Sequence, residues 1–467
     1  MESAPQIERA AYIDENGIDR ILSKARCDKN RVAEILVKAR ELKGLTTDEA
    51  ATLLVCDDPE ILAEVFEAAR WVKDRIYGNR LVLFAPLYIS NRCVNVCRYC
   101  AFRADNKTLH RRSLTVDEIR EETRRLIATG QKRVLLVAGE SPQQRYIDTI
   151  CAAIDAIYET REGRGEIRRI NVNAAPMNVA EFRQLKGRGI GTYQLFQETY
   201  HRGTYRAMHI KGPKTDYDWR ISAMERAFAG GIDDLGIGVL FGLYDYRFEV
   251  LALLQHIRRL EQRIGVGPHT ISVPRLEPAS GSDVGTTPPA SVSDADFEKV
   301  VAVLRLCVPY TGIIMSTRES PAMRSRTFAL GVSQISAGSR TSPGGYGKSD
   351  EDDAQFQLGD HRSLDEVVAD VLRLGYVPSF CTACYRKGRT GADFMDLAKP
   401  GLIKQFCLPN ALLTCKEYLE DFASPKTREL GDDTIVQSIQ DIPSVNRRGE
   451  TTARLEAIEK GERDNQF

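Results

Sequence analysis

Apolar and polar positions change rhythm near residue 80. Upstream, helical periodicity runs through 30–41 and 59–75 with no strand signal, so residues 1–80 read as a helical extension. From Leu81 onward, short apolar runs alternate with longer amphipathic segments, the pattern of βα units around a parallel sheet. The runs are 81–88, 133–140, 167–174, 192–198, 235–243, 270–276, 312–319 and 333–339. Helical segments follow them, two opened by capping-box spacings, Thr115 with Glu118 and Ser363 with Glu366. Eight such units predict an α/β fold, a complete (β/α)8 TIM barrel over residues 81–376. Beyond the last barrel helix, 364–375, no convincing strand is seen, and residues 377–467 are expected to form a helical domain. The loops 278–293 and 342–362, the second carrying the run SDEDDAQ, are long and polar and read as solvated rather than catalytic.

Composition narrows the class without naming it. Of 467 residues, 42% are hydrophobic and 28% charged, and 65 basic side chains cancel 65 acidic ones. That balance leaves no footprint for nucleic acid or an anionic membrane. No stretch approaches the ~20 apolar residues of a bilayer span and no basic-then-apolar leader opens the chain, so a cytoplasmic location is expected. In that reducing setting the eleven cysteines read as buried small side chains or metal ligands rather than disulfides. Cys27, Cys56, Cys151 and Cys307 fall in helical patterns and are assigned to the core.

Three other cysteines stand where a barrel keeps its chemistry. The loop after the first strand, NRCVNVCRYCAF, places Cys93, Cys97 and Cys100 in C-x3-C-x2-C spacing, on the face built by the loops that follow barrel strands. Three thiolates so spaced hold three irons of a [4Fe–4S] cube and leave the fourth open to chelate S-adenosylmethionine (AdoMet), whose reductive cleavage releases a 5′-deoxyadenosyl radical. A zinc site would want a fourth ligand close by. The arrangement resembles the radical AdoMet superfamily. That resemblance implies that Tyr99 touches adenine, whereas Phe102 is packing. It further implies that the AdoMet amino acid meets Gly139 and Glu140 at the edge of the second strand, where Ala138 replaces a second glycine. Glu198, ending the fourth strand, and Arg220 are the implied charged pair.

A second set, Cys381, Cys384 and Cys407, forms C-x2-C-x22-C, with Cys415 beyond. From spacing, a four-cysteine structural zinc site and an iron–sulfur site are both open. Taken with the first motif, the pattern resembles the tyrosine lyases that mature [FeFe]-hydrogenase, the HydG family, from the first trio through Cys407. The resemblance implies that the late trio holds an auxiliary [4Fe–4S] cluster with an additional labile iron, helped by free cysteine, with Cys415 outside. It implies cleavage of the L-tyrosine Cα–Cβ bond to p-cresol and dehydroglycine, and conversion of the latter to carbon monoxide and cyanide on the auxiliary iron. An electron donor and other hydrogenase maturation proteins are the implied partners.

His269, opening the sixth strand at the opposite barrel end, is then the expected ligand of the labile iron, while the other histidines, His209 included, have no comparable context. Arg275 or Arg318, ending strands six and seven, is expected to clamp the tyrosine carboxylate, the other being a loop-anchoring arginine, with Glu277 and Glu319 equally placed. Strands of this length rise roughly 25 Å, so a small fragment must travel down the barrel between the clusters. Two other readings stand beside this one. The thiamine-pathway tyrosine lyase, 2-iminoacetate synthase, shares the barrel but lacks the late trio; a non-catalytic iron–sulfur or zinc scaffold would need the tail alone.

Overall fold

The computed structural model describes residues 12–141, 146–347 and 353–467. The start of the chain and the acidic stretch 349–352 lie outside the described residues. Eight parallel strands form a barrel: β1 (Arg80–Ser90), β2 (Arg133–Ala138), β3 (Arg169–Asn173), β4 (Tyr193–Glu198), β5 (Leu235–Val239), β6 (Thr270–Ser272), β7 (Gly312–Met315) and β8 (Val332–Ser336). Neighbours in sequence are neighbours in the sheet, and β8 returns to β1 with Val82 opposite Gln334 and Phe84 opposite Ser336. Both predicted capping boxes are formed, at Thr115 with Glu118 and at Ser363 with Glu366. Each satisfies orphan backbone donors where a barrel helix begins.

Strands β5, β6 and β7 each end four residues earlier than their apolar runs suggest. The residues beyond them leave the ladder, and Leu240, Pro274, Ser316 and Arg318 line a cavity at the barrel mouth instead. Pro274 has no N–H to offer a ladder, which helps to end β6 there.

The tail does contain a strand, contrary to the sequence expectation. Val377–Ser379 (β9) pairs in parallel with Arg80, Leu81 and Val82 of β1. β2 meets β1 only from Ala85 onward, so the first residues of β1 overhang and their backbone groups need a partner. The chain that satisfies them leads straight into Cys381. A three-residue strand starting at the domain junction carries too little alternation to be read locally.

Beyond β9 the tail is helical, with Lys404–Asp421 packed against Pro425–Ile439 and Val445–Glu459. It covers the N-terminal end of the barrel. Buried Glu417 accepts from Lys132 Nζ at 2.8 Å and Arg168 Nη1 at 2.7 Å, two cations standing just before β2 and β3.

The N-terminal extension is four helices, Glu15–Lys24, Lys29–Ala39, Thr47–Leu54 and Pro59–Tyr77, laid against the barrel's outer helices. Here a second expectation fails. Cys27 and Cys56 are joined in a disulfide, and Cys27 is exposed rather than part of the core. Both residues sit in loops that flank the helices, which brings together sulfurs that periodicity assigns separately. Cys151 and Cys307 are buried as expected. Among the described residues no helix is long and apolar enough to cross a membrane.

Candidate active site and second cysteine site

At the C-terminal mouth of the barrel, one cavity is lined by Cys93, Cys97 and Cys100 together with Gly139, Glu140 and Glu198. The cysteine loop is held by backbone bonds to its surroundings. Val94 N donates to Glu140 O at 2.9 Å, Gly139 N to Ser90 O at 2.9 Å, and Val96–Cys97 makes a short antiparallel ribbon with His209–Lys211. Gly139 is demanded by this closeness, because a Cβ there would lie 2.4 Å from Arg92 O. Its constraint comes from the cysteine loop pressed against it, a tertiary cause the motif alone does not reveal.

The sulfurs sit among apolar side chains, with Met208, Leu240 and Leu276 on one side and Tyr88, Phe102 and Val137 on the other. Phe102 is 2% exposed and packs edge-on to Tyr88, as plain packing. Burial pushes the Cys97 thiol up to about 12 and raises Cys100 as well, so these sulfurs need a cationic centre to become thiolates. Two amides point at them: Gln355 Nε2 lies 3.5 Å from Cys100 Sγ and Asn95 Nδ2 lies 3.7 Å from Cys93 Sγ. Sulfur-only donors, a dry wall and N–H groups aimed at sulfur fit an iron–sulfur cube. Among the described residues no three His, Cys, Asp or Glu side chains close on a single-ion position.

The implied AdoMet residues gather around the same cavity. Glu198 is 8% exposed and holds a positive φ of 74°, a strained backbone for a non-glycine residue and one that concentrates at functional sites. Its carboxylate accepts from Lys214 Nζ at 2.6 Å and Arg220 Nη2 at 3.3 Å. Burial pushes its pKa up, but Lys214 and Arg220 outweigh that and hold it below the usual range. Glu140 accepts from Asn95 Nδ2 at 2.6 Å. Tyr99 donates its hydroxyl to His209 Nε2 at 2.8 Å, and His209 Nδ1 faces Tyr205 O at 2.7 Å.

Lys214, Asn95 and His209 were missed in the sequence. Their one trace is Gly212, at φ +98°, where a Cβ would lie 2.4 Å from Asn95 Oδ1. His209, set aside from sequence, is therefore part of the site's supporting network. The loop 342–362 also needs correction, since Gln355 and Phe356 line the cavity rather than face solvent. Their contacts come from the fold, because a polar loop looks the same whether it is solvated or folded inward.

The two arginine candidates for a carboxylate clamp part company. Arg275 does not line the cavity; it forks with Glu319, reaches Asp294 at 2.9 Å and Val292 O at 3.1 Å, and stacks on Phe297. It anchors loops. Arg318 lines the cavity, lies 3.3 Å from the centroid of Phe356, and among the described residues has one side-chain hydrogen bond, to Arg275 O at 3.5 Å. Glu277 is pushed up to about 7 by burial and by Glu319.

At the other end of the barrel, Cys381, Cys384 and Cys407 lie together under β1 and β2. Burial raises Cys381 and lifts Cys384 to about 12, and each feels the other two sulfurs of the trio or their shared neighbours Arg80 and Arg133. Arg133 Nη1 donates to Cys381 O at 2.5 Å. Cys415 is fully buried on the far side, sensing Asp432 and Lys416 instead. Placement thus separates a trio from the fourth cysteine, which spacing does not.

His269 begins β6 on this same floor. Its ring stacks on Phe394 of the tail at 4.0 Å, and its Nδ1 is buried without a hydrogen-bond partner, 3.6 Å from Asp234 Oδ2. Burial drives its pKa down to about 4, so the imidazole is neutral and able to donate a lone pair to a metal. Asp234 Oδ1 is likewise unpartnered, while Oδ2 accepts from Arg169 Nη2 at 2.7 Å. The orphaned His269 nitrogen and Asp234 oxygen share the neighbour Arg133 with Cys381, an arrangement that fits a cluster with an extra metal.

Comparisons with known proteins agree with this geometry. Residues 87–257 match the model of the Radical SAM superfamily, and residues 272–377 match the Biotin and Thiamin Synthesis associated domain. The chain is 30% identical to 2-iminoacetate synthase of Escherichia coli (strain K12), over 74% of this chain and 90% of that protein. It is similar to the crystal structure of HydG, a maturase of the [FeFe]-hydrogenase, at 51% identity and a TM-score of 0.95, covering 98% of this chain and all of that one, 100%. HydG from Carboxydothermus hydrogenoformans matches at 41% identity and a TM-score of 0.84, over 95% and 98% of the two chains.

Proposed function

Because this chain belongs to the HydG family of radical S-adenosylmethionine enzymes, we propose that it cleaves the Cα–Cβ bond of L-tyrosine to p-cresol and dehydroglycine. The second fragment is then converted to carbon monoxide and cyanide for the active-site cluster of [FeFe]-hydrogenase. The observation that carries this reading is the pair of cysteine trios at opposite ends of one barrel. Polar side chains run down the interior between them, with Gln194, Ser272 and Ser336 in the wall of the upper cavity and Asn171, Thr270 and Gln334 buried outside it.

A [4Fe–4S] cluster on Cys93, Cys97 and Cys100, with AdoMet, supplies a 5′-deoxyadenosyl radical when bound. On the floor, Cys381, Cys384 and Cys407 would hold an auxiliary cluster, with His269 and free cysteine as ligands of an additional iron. The chain's own residues orient and shield. Glu198, set between Lys214 and Arg220, meets the amino end of AdoMet and those cations meet its carboxylate. Arg318, half-buried in the cavity wall with little else to bind, takes the tyrosine carboxylate; Arg275 is already engaged by Glu319 and Asp294. The apolar wall around the sulfurs keeps water from the radical. An electron donor and other hydrogenase maturation proteins complete the cycle.

The relationship to 2-iminoacetate synthase favours the same first cleavage and leaves the late trio as the distinguishing feature. The test is anaerobic turnover with AdoMet, tyrosine and reductant, assaying p-cresol, glyoxylate, carbon monoxide and cyanide. Cys381→Ser with Cys384→Ser is expected to keep p-cresol and lose both diatomics. Absence of p-cresol from the unaltered protein would overturn the lyase reading, and p-cresol without diatomics would assign the thiamine-type reaction.

A further inference from the structure

Gln355 lies in the loop that reads as solvated from sequence, yet each of its polar groups is used inside the barrel mouth. Its Nε2 is 3.5 Å from Cys100 Sγ, its Oε1 accepts the Tyr88 hydroxyl at 2.8 Å, its backbone O accepts from Ala101 N at 3.3 Å, and its own N donates to Thr341 O at 3.0 Å. The orientation of the amide is fixed by chemistry. A tyrosine hydroxyl donates to the carbonyl, and a thiolate only accepts, so the NH2 end must face sulfur. Asn95 offers the other amide at this trio, its two N–H groups shared between Glu140 at 2.6 Å and Cys93 Sγ at 3.7 Å. Gln355 makes the shorter sulfur contact, and among the described residues its NH2 has sulfur as its acceptor.

The second arm of Gln355 reaches the substrate cavity. Tyr88, Gln355, Phe356 and Arg318 all line it, and the Arg318 guanidinium lies over the Phe356 ring, one residue from Gln355. Cys100 thus shares a hydrogen-bond chain, through the Gln355 amide, with the hydroxyl of a tyrosine in the cavity wall. N–H bonds to cluster sulfurs draw electron density from them and raise the reduction potential, and a buried amide between two polar groups is polarised by both.

We infer that Gln355 is a positioning residue that sets the potential of the cluster on Cys93, Cys97 and Cys100 and ties that potential to the state of the cavity through Tyr88. This rests on the trio holding a [4Fe–4S] cluster, as proposed above. Loss of the amide donor makes the cluster harder to reduce, and loss of the Tyr88 hydroxyl weakens the donor without removing it.

The test is an EPR-monitored redox titration of the reconstituted full chain carrying Cys381→Ser and Cys384→Ser, so that one cluster is read. Gln355→Glu keeps the shape and replaces the N–H donor by a carboxylate; Gln355→Leu removes both polar arms. Both are expected to shift the midpoint to more negative potential, Gln355→Glu the most. Tyr88→Phe is expected to give a smaller shift of the same sign. Reductive AdoMet cleavage at fixed reductant falls in the same order. Equal midpoints in the parent and both Gln355 variants, each with a full cluster signal, would overturn the inference alone. Absence of a cluster signal from the parent would overturn the cluster assignment and this inference with it.

Discussion

At the scale of single residues, Gly139 carries the most direct constraint. A Cβ at this position meets a backbone oxygen, Arg92 O at 2.4 Å, and the Cβ of Cys93 at 3.2 Å, and neither can rotate away. Gly139→Ala must push the cysteine loop outward at a cost of about 1–3 kcal/mol. It is expected to lower iron retention at the first trio and p-cresol formation together, measured by iron analysis and product assay. Ala138→Gly, which recreates a double glycine, is expected to leave both unchanged, because Gly139 already supplies the close approach. The residue motif was legible because C-x3-C-x2-C depends on local spacing. Lys214, Asn95, His209 and Gln355 were not, since each is defined by a partner far along the chain.

Whole elements answer differently. Capping boxes at Thr115 and Ser363 follow from four consecutive residues, so the sequence reading and the structure agree there. β9 and the Cys27–Cys56 link depend on what the rest of the chain leaves unsatisfied or brings near. The disulfide closes a segment with a separation of 29 residues in the helical extension, and such closure stabilises by roughly 3–4 kcal/mol through the unfolded chain. The urea midpoint of the metal-free protein is expected to fall on adding reductant. Cys27→Ser should lie at the reduced value under both conditions; a midpoint indifferent to reductant in the unaltered chain would refute the link.

For the whole molecule, the barrel holds the two cysteine trios at its opposite ends. β1 runs from Arg80, beside the late trio, to Ser90, beside the first. Ten steps of about 3.3 Å place the two sites roughly 30 Å apart, beyond the reach of one small molecule. Thr270 stands deeper on β6, 1% exposed and outside the lining of the upper cavity. Thr270→Leu narrows the interior without touching either trio. It is expected to spare p-cresol and suppress carbon monoxide, read by product assay and by haemoglobin binding. Equal loss of both would place the second reaction elsewhere.

The sequence by itself determined the barrel, the helical extensions and the two cysteine sets, because periodicity, capping and ligand spacing are written within a few residues of one another. Tertiary structure decided which neighbours those sets acquire. It excluded Cys415 from the late trio, turned His269 toward the tail, engaged Arg275 while leaving Arg318 in the cavity, and folded Gln355 onto Cys100. Each of these depends on side chains from distant strands meeting in space, where burial and unpaired polar atoms, rather than local pattern, assign the role.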